Sequence, residues 1–357
     1  MNTTSTSSTQ PKDSKISVDY FIGCLLGALL GDCIGALFEG QQDVPMESVE
    51  DLFQDLTNED LTLDQLVPLE FTDDTAMLKS VAESLIRNKC FNARDVANTF
   101  VSEYFESPKR GYGGSVVDVF VKLKKDKVSD PFQPAREQFN GSGSYGNGGA
   151  MRIAPVALFA HGNIEHMLDI AAQTTKITHT HRLAVHGALL QTLAVHQALV
   201  ADKSKLIDTK IFLSELKEKM KLIEQNLDED EEESYLTQLD MIQHLLEDPN
   251  TSVKDVVRTL GHGIAAFESV PTALYVFLRS LQPIPGMEVS QCDNPVTRAI
   301  YYAITLGGDT DTIATMAGAI AGAYHGAEYI DTILVSRVEA GDYIEDLAVK
   351  LYDVVEQ

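Results

Sequence analysis

The sequence predicts an all-α protein with one compact domain built from many helices. Apolar residues recur at helical spacing along almost all of the 357-residue chain, and the alternating pattern of strands is almost absent. Hydrophobic residues make up 44% of the chain, enough for a sizeable core. Two short acidic clusters each stand directly before a predicted helix. We therefore expect a helical domain with its chemistry in loops and at helix N-termini.

Each predicted helix rests on apolar residues that recur three and four positions apart. The first covers 20–37, and two helices follow the acidic clusters directly, at 75–88 and 312–325. The other predicted helices cover 93–106, 114–125, 149–158, 163–174, 182–200, 210–225, 235–246, 252–259, 263–279, 294–305 and 342–355.

Residues 1–17 lie outside the predicted domain, which covers 18–357. They are rich in Ser and Thr and lack the apolar stretch of a secretory signal. They contain no Arg and include Asp13, which disfavours a mitochondrial presequence. We expect a disordered tail over 1–17.

The first predicted helix has a membrane alternative. Tyr20–Phe38 is long enough to span a bilayer and contains one charged residue, Asp32. Its glycines recur every fourth residue, at Gly23, Gly27, Gly31 and Gly35. Such stripes occur where membrane helices pack, but the internal Asp and the lack of a basic flank argue against insertion. We favour a buried helix whose glycines let another backbone come close, with no membrane partner.

Composition restricts the ligands that the chain can bind. The net charge of −25 argues against general binding to nucleic acid or anionic membranes, so local devices must hold any anionic ligand. The run Asp228–Glu233 has no charge pattern, and we expect a solvated loop. Four cysteines without metal-site spacing are expected to be buried thiols in a reducing compartment: Cys24, Cys33, Cys90 and Cys292.

The acidic clusters are Thr72-Asp-Asp-Thr75 and Asp309-Thr-Asp-Thr312. Thr and Asp are common helix caps, so two well-capped helices are one interpretation. A cap needs only one such residue, however, and adjacent carboxylates repel each other more than a helix dipole offsets. Carboxylates and hydroxyls without His or Cys are typical ligands of a hard divalent cation. The clusters therefore predict a metal site.

A glycine-rich loop lies between the clusters, Gly141-Ser-Gly-Ser-Tyr-Gly-Asn-Gly-Gly-Ala-Met-Arg152. It formally contains GxGxxG, but no strand precedes it and no Gly-Lys-Ser/Thr follows, which excludes the dinucleotide-fold and P-loop interpretations. A glycine-rich loop leading into a helix exposes N–H groups that can hold phosphate. Phe139 and Tyr145 add flat apolar surface for a sugar or base. The alternative is a flexible connector.

Two weaker features remain. Glu39 follows the first predicted helix beside Gly40, where a glutamate is usually only solvated, but next to a metal-held substrate it could transfer a proton. His179 and His181 stand two residues apart in a loop, which is poor evidence for zinc. A histidine that hydrogen-bonds or stacks on a ligand is the better interpretation.

Taken together, these segments resemble the ADP-ribosylhydrolase family, all-helical enzymes with two magnesium ions that are related to the glycohydrolase that reactivates dinitrogenase reductase. The matching segments are Gly31-Asp32 with Glu39, Phe71-Thr-Asp-Asp-Thr75, Gly143-Ser-Tyr-Gly-Asn-Gly-Gly-Ala-Met-Arg152 and Gly307-Gly-Asp-Thr-Asp-Thr-Ile313. They occur in order over about residues 18–357. The segments Phe139–Tyr145, Asp309–Thr312 and Gly263–Thr272 are most similar to the branch that acts on ADP-ribosylserine.

The resemblance implies roles for individual residues. Two Mg²⁺ ions would be bound by Thr72, Asp73, Asp74, Asp309, Asp311, Thr312 and, as a movable ligand, Glu39. Glu39 would also be the catalytic residue, which either activates a water or protonates the leaving oxygen. Substrate contacts are implied for Asp73, Phe139, Ser142, Gly143, Ser144, Tyr145, Gly146, Asn147, Gly148, His179 and Ile264, with Ile264 near the adenine.

The resemblance also implies the reaction and its partners. These are magnesium-dependent removal of ADP-ribose from serine on proteins, degradation of poly(ADP-ribose) and hydrolysis of O-acetyl-ADP-ribose, with ADP-ribose as the product. It further implies a monomer in the nucleus, cytoplasm and mitochondrial matrix, with a role in the repair of DNA damage. An arginine-specific ADP-ribosylhydrolase and a non-catalytic ADP-ribose reader stay open as alternatives.

Overall fold

Helices form almost all of the regular structure in the computed structural model, which describes residues 16–58, 67–125, 129–225, 233–248, 250–287 and 290–356. Within these ranges there is no strand, only two isolated bridges, Leu69 to Val338 and Gly146 to Ala265. The all-α prediction is confirmed. Residues 1–15 of the predicted tail and 228–232 of the acidic run lie outside the described residues.

The helices are numbered in chain order. They are α1 (Val18–Gly35), α2 (Met46–Leu56), α3 (Asp73–Asn88), α4 (Ala93–Glu106), α5 (Gly114–Lys125), α6 (Gln133–Arg136), α7 (Ala154–Phe159), α8 (Ile164–Lys176), α9 (Arg182–Val200), α10 (Thr209–Ile223), α11 (Tyr235–Glu247), α12 (Val253–Leu260), α13 (Ala266–Ser280), α14 (Pro295–Thr305), α15 (Thr310–His325), α16 (Thr332–Ser336) and α17 (Gly341–Val355). Short 3-10 turns lie at Ala36–Phe38, Gln138–Gly141, Asn147–Gly149, Ser290–Asp293 and Ala327–Tyr329.

The predicted helices are confirmed, with shifts at their ends. The predicted helix 149–158 starts later, at Ala154, because the glycine-rich segment before it forms a 3-10 turn and Pro155 suits a first helical turn. Helix α2 was not predicted, although Val49, Phe53 and Leu56 form its buried stripe. The short helices α6 and α16 were also missed.

Helices α1 and α15 touch through their backbones, as the glycine stripe predicted. A Cβ added to Gly27 would overlap the carbonyl oxygen of Gly318, and one added to Gly35 would lie 2.6 Å from the Cα of Asp311. Only glycine permits this distance between helices. The contact sets the start of α15, with its acidic cluster, against the end of α1.

Two helices, Val18–Phe38 and Arg182–Val200, are long and apolar enough to cross a membrane. In the structure 78% and 89% of their apolar windows are buried inside the protein, which is the environment of core helices. Helix α15 packs on α1, α9, α13 and α14, and these helices form the centre of the core.

The cysteine prediction is wrong at one position. Cys24, Cys33 and Cys292 are buried free thiols, as expected. Cys90 is exposed, because it lies in the short loop between α3 and α4 rather than on an apolar helix face.

Candidate active site

The start of α3 is fixed by a buried carboxylate from α1. Asp32 has no exposed surface and accepts hydrogen bonds from the backbone N–H groups of Thr72, at 3.1 Å, and Thr75, at 3.0 Å. The Thr72 hydroxyl accepts a further bond from the Asp74 N–H at 3.2 Å. Because Asp32 satisfies these N–H groups, Asp73 and Asp74 are not needed as caps and are available to a ligand.

The second acidic cluster is joined to the segment that carries Glu39. The N–H of Gly40 donates to the carbonyl of Gly308 at 2.8 Å, and the N–H of Gly308 donates to the carbonyl of Gln41 at 2.7 Å. Gly308 has a φ of +75°, and a Cβ there would collide with the backbone of His262. This turn requires glycine, and it places Glu39 beside Asp309.

Carboxylates from three segments meet in one cleft. Oxygen atoms of Glu39, Asp309 and Asp311 all lie within 4.8 Å of one another. The hydroxyl of Thr312 donates to Asp74 Oδ1 at 3.3 Å, which links the α3 cluster to the α15 cluster. The second oxygen of Asp74 is buried without a hydrogen-bond partner. The structure thus brings the two predicted clusters together.

The cleft has a volume of about 220 Å³ and is strongly acidic. It is lined by five carboxylates, those of Glu39, Asp73, Asp74, Asp309 and Asp311, and among its described lining residues there is no Lys or Arg. An unpartnered buried oxygen and uncompensated carboxylates are costly, and oxygen ligands of this kind suit a hard divalent cation. The residues present therefore fit a metal site.

Burial and mutual repulsion raise the pKa values of these carboxyl groups. Burial, followed by the charge of Asp32, raises the pKa of Asp73 to about 8. Burial, followed by Asp309 and Glu39, raises the pKa of Asp311 to about 9. The pKa of Glu39 is also raised, by burial and then by Asp309 and Asp32. A cation entering the cleft would displace protons from these groups.

Asn147 joins the glycine-rich loop to the acidic cluster. Its side-chain amide donates to Asp309 Oδ2 at 2.5 Å and to the Ser269 hydroxyl at 3.0 Å. Its backbone N–H donates to the carbonyl of Ile264 at 3.0 Å. The predicted substrate residue Asn147 thus orients a carboxylate through its side chain.

The other predicted substrate residues divide into two groups. The cleft is lined by Ser144, Gly146, Gly148, His179 and Ile264. Phe139, Ser142, Gly143 and Tyr145, like the predicted metal ligand Thr72, are not among its lining residues. Ser142 instead lines a neighbouring cavity of about 400 Å³.

Three apolar side chains near the loop stand open to solvent. Phe139 is 56% exposed, Tyr145 53% and Ile264 68%. Phe139 has a φ of +51°, a left-handed conformation that is unusual for a residue with a large side chain. Exposed apolar surface on a strained turn is typical of a binding surface.

Sequence reasoning missed part of the cleft. Gly111, Gly113, Ser115 and Val116 line it from the segment before α5 and from its first turn. The N–H of Asp73 donates to the carbonyl of Arg110 at 2.6 Å, which places this segment next to the first acidic cluster. The run Gly111-Tyr-Gly-Gly114 was the available signal, since glycines at a helix start can expose N–H groups.

A family model described as ADP-ribosylglycohydrolase matches residues 13–357. The chain belongs to this family. It is 42% identical to the ADP-ribosylhydrolase ARH3 of Homo sapiens, over 96% of this chain and 95% of the relative. It is 44% identical to the ADP-ribosylhydrolase ARH3 of Xenopus tropicalis, over 94% and 96%.

A solved structure shares the fold. The chain described as "ADP-ribosylglycohydrolase-related protein complex" matches with a TM-score of 0.66 and 22% identity, over 95% of this chain and 98% of that one. Membership in the ADP-ribosylglycohydrolase family makes this protein a glycosidase-type enzyme that hydrolyses ADP-ribosyl bonds. The resemblance seen in the sequence is confirmed.

Proposed function

We propose that this protein hydrolyses O-glycosidic ADP-ribose bonds with magnesium, removing ADP-ribose from serine on proteins and degrading poly(ADP-ribose) and O-acetyl-ADP-ribose. The observation that carries the proposal is the five-carboxylate cleft directly beside the glycine-rich loop. Similarity to the ARH3 relatives over nearly the whole chain supports the substrate class. Monomeric state, nuclear, cytoplasmic and mitochondrial location, and a role in DNA damage repair stay predictions.

Two Mg²⁺ ions would be held by oxygen ligands from both acidic clusters. The proposed ligands are Thr72, Asp73, Asp74, Asp309, Asp311, Thr312 and Glu39. When bound, the ions supply positive charge that holds ribose hydroxyls and stabilises charge in the transition state. The buried, unpartnered Asp74 oxygen supports this assignment, because nothing else among the described residues satisfies it.

Glu39 is suited to proton transfer. It lies outside the rigid helices, after the turn Ala36–Phe38, and its side chain is exposed while its neighbours Asp309 and Asp311 are buried. Burial, followed by the charges of Asp309 and Asp32, raises the pKa of Glu39, which makes its carboxyl group easier to protonate than an ordinary glutamate. Glu39 would either activate the attacking water or protonate the leaving oxygen.

The loop residues would hold the rest of ADP-ribose. In a chain with a net charge of −25, a diphosphate needs local donors, and backbone N–H groups of the glycine-rich loop would be such donors. Those of Gly143 and Asn147 already donate to the carbonyls of Gln138 and Ile264, so other N–H groups of the loop would have to serve. Ser144, Gly146 and Gly148 line the cleft beside the carboxylates. The exposed rings of Phe139 and Tyr145, with Ile264, offer apolar surface for the adenine.

One experiment separates the substrate classes. The purified protein is incubated with a serine-ADP-ribosylated peptide and with an arginine-linked one, with magnesium or with chelator, and released ADP-ribose is measured. Release from the serine peptide alone, and only with magnesium, is expected. Release from the arginine peptide alone would make the protein an arginine-specific hydrolase. Binding of ADP-ribose without release would make it a reader.

A further inference from the structure

A buried arginine lies beneath the glycine-rich loop. Arg152 has no exposed surface. Its Nη1 donates to the carbonyl of Gly148 at 2.6 Å, and its Nη2 donates to the carbonyl of Thr174 at 3.0 Å and to the Thr178 hydroxyl at 2.8 Å. The guanidinium carbon lies 4.8 Å from the centre of the Phe100 ring. The side chain thus ties the loop to the end of α8 and to the segment after it.

No carboxylate forms an ion pair with this buried cation among the described residues. Its acceptors are two carbonyls, one hydroxyl and, at 3.8 Å, the sulfur of Met77. Thr174 belongs to the last turn of α8, where the helix dipole is negative. Burial lowers the pKa of Arg152 to about 9, so it remains charged at neutral pH. An unpaired buried charge is costly, which makes a role beyond packing the better explanation.

The two contacts of the Thr178 hydroxyl, together with its burial, fix the direction of the next hydrogen bond. A guanidinium can only donate, so the Thr178 oxygen must accept. The Thr178 hydroxyl hydrogen is then available for His179 Nδ1, which lies 2.7 Å away. Thr178 is fully buried, and no other acceptor for this hydrogen lies within reach among the described residues. His179 Nδ1 is therefore the acceptor, and the ring proton resides on Nε2.

His179 presents that nitrogen to the loop. Its Nε2 lies 3.5 Å from the position of a Cβ on Gly146 and 3.1 Å from one on Gly148, and the ring lines the cleft. Burial, followed by the charge of Arg152, lowers the pKa of His179 to about 3, so the ring stays neutral. A neutral ring with a fixed Nε2–H is a donor of constant orientation at the place where a ligand oxygen would lie.

We propose that Arg152 is a positioning residue that acts through Thr178 to hold His179 as the Nε2–H tautomer, which donates to an oxygen of the ligand in the glycine-rich loop. The identity of the ligand as ADP-ribose rests on the proposed function. The assignment of the tautomer does not, because it follows from contacts within the protein.

The test uses the full-length protein labelled with ¹⁵N in its nine histidines. The His179 signals are assigned by their loss in His179→Gln, and the side-chain nitrogen shifts report which nitrogen carries the proton. The wild type is expected to show a single neutral tautomer protonated at Nε2. A wild-type ring protonated at Nδ1 would overturn the proposal.

A matched pair of variants tests the relay without removing the buried charge. Thr178→Val keeps the side-chain shape but has no hydroxyl, and we expect loss of the single tautomer and about five- to tenfold weaker ADP-ribose binding, the weight of one hydrogen bond. Thr178→Ser keeps the hydroxyl and should show the single tautomer and the ADP-ribose affinity of the wild type. Unchanged spectra and affinity in Thr178→Val would contradict the relay.

Arg152→Met completes the test and should also disturb the tautomer. Because Arg152→Met removes a buried charge, its folding is checked by thermal unfolding. If this variant does not fold, the comparison of Thr178→Val with Thr178→Ser decides the test. A wild type that shows the Nε2–H tautomer but binds no ADP-ribose would reject the proposed function and the ligand, not the relay.

Discussion

The two walls of the cleft are built in opposite ways. On one wall, Asp74, Asp309 and Asp311 are buried at the starts of packed helices, and glycine contacts hold α1 and α15 together. On the other wall, the loop side, Ile264 lines the cleft, and Phe139 and Tyr145 lie outside it on the same loop side. All three side chains are more than half exposed, and Phe139 has a left-handed backbone. Carboxylates that repel one another need a rigid support, whereas a surface that receives a nucleotide must stay open.

The largest expected effect comes from the rigid wall. Asp311→Asn removes a proposed metal ligand, and we expect turnover to fall on the order of 10³-fold, together with the stabilisation by Mg²⁺. Without metal, the variant should be more stable than the wild type, because it has one repelling carboxylate fewer. Initial rates check the loss of turnover, and thermal unfolding with and without Mg²⁺ checks the two effects on stability. Asp353→Asn, an exposed site on α17, is the control, and wild-type turnover in Asp311→Asn would contradict the assignment.

The support of this wall is tested at two glycines of the α1–α15 contact. Gly27→Ala and Gly35→Ala should each lower the free energy of unfolding by about 1–3 kcal/mol, because the new Cβ meets backbone that cannot yield. Only Gly35→Ala should also lower kcat/KM of the folded enzyme, because its Cβ would press on Asp311. Gly162→Ala, with open space around the Cβ position, is the control. Equal kcat/KM in both variants would show that the contact does not position the cluster.

The raised pKa values of the rigid wall predict a pH dependence. Folded pKa values of about 8 for Asp73 and about 9 for Asp311 lie above the ordinary value of 3.8, so the folded state holds protons that the unfolded state has lost. Stability of the metal-free protein should therefore fall as pH rises from about 4 through about 9.

Magnesium should reverse this trend. Because the ion displaces those protons, the rise in Tm on adding Mg²⁺ should be larger at about pH 8 than at about pH 6. Calorimetry in two buffers of different ionisation enthalpy should detect proton release. A pH-independent rise in Tm without proton release would argue against a metal bound by these carboxyls.

The smallest effect is expected on the open wall. Phe139→Gly and Phe139→Ala both remove the ring, and each should weaken ADP-ribose binding by up to about tenfold. Glycine tolerates a φ of +51° and alanine does not, so Phe139→Gly should be the more stable of the two by about 1 kcal/mol. Titration calorimetry and denaturant unfolding separate the two effects. Equal stabilities would mean that the turn stores no strain.

The fold was predictable because local patterns decide it. Apolar periodicity predicted most helices. The glycines that recur every fourth residue in α1 predicted a close contact with another backbone, which α15 makes in the structure. The late start of α7 depends on the loop conformation of the glycines before it, which spacing does not report. Helix α2 was not predicted, although Val49, Phe53 and Leu56 recur at helical spacing in its sequence.

The site was predictable only in part, because several of its contacts join distant residues. The two acidic clusters could be recognised as sets of metal ligands. Their position in one cleft depends on the contact between Asp74 and Thr312, which are 238 positions apart in the sequence. Asp32 accepts hydrogen bonds from Thr72 and Thr75, which lie 40 and 43 positions further along the chain, and nothing in its own helix indicates that role. The same holds for Arg152, whose partners Thr174 and Thr178 come from another segment.

The central claim is that the acidic wall performs the chemistry while the loop wall binds the nucleotide, and Glu39→Gln tests it most directly. ADP-ribose binding in magnesium and hydrolysis of a serine-ADP-ribosylated peptide are measured on the same preparation. We predict binding close to that of the wild type and turnover reduced by about 10²- to 10⁴-fold. Hydrolysis at the wild-type rate would show that the proton is transferred elsewhere and would contradict the claim.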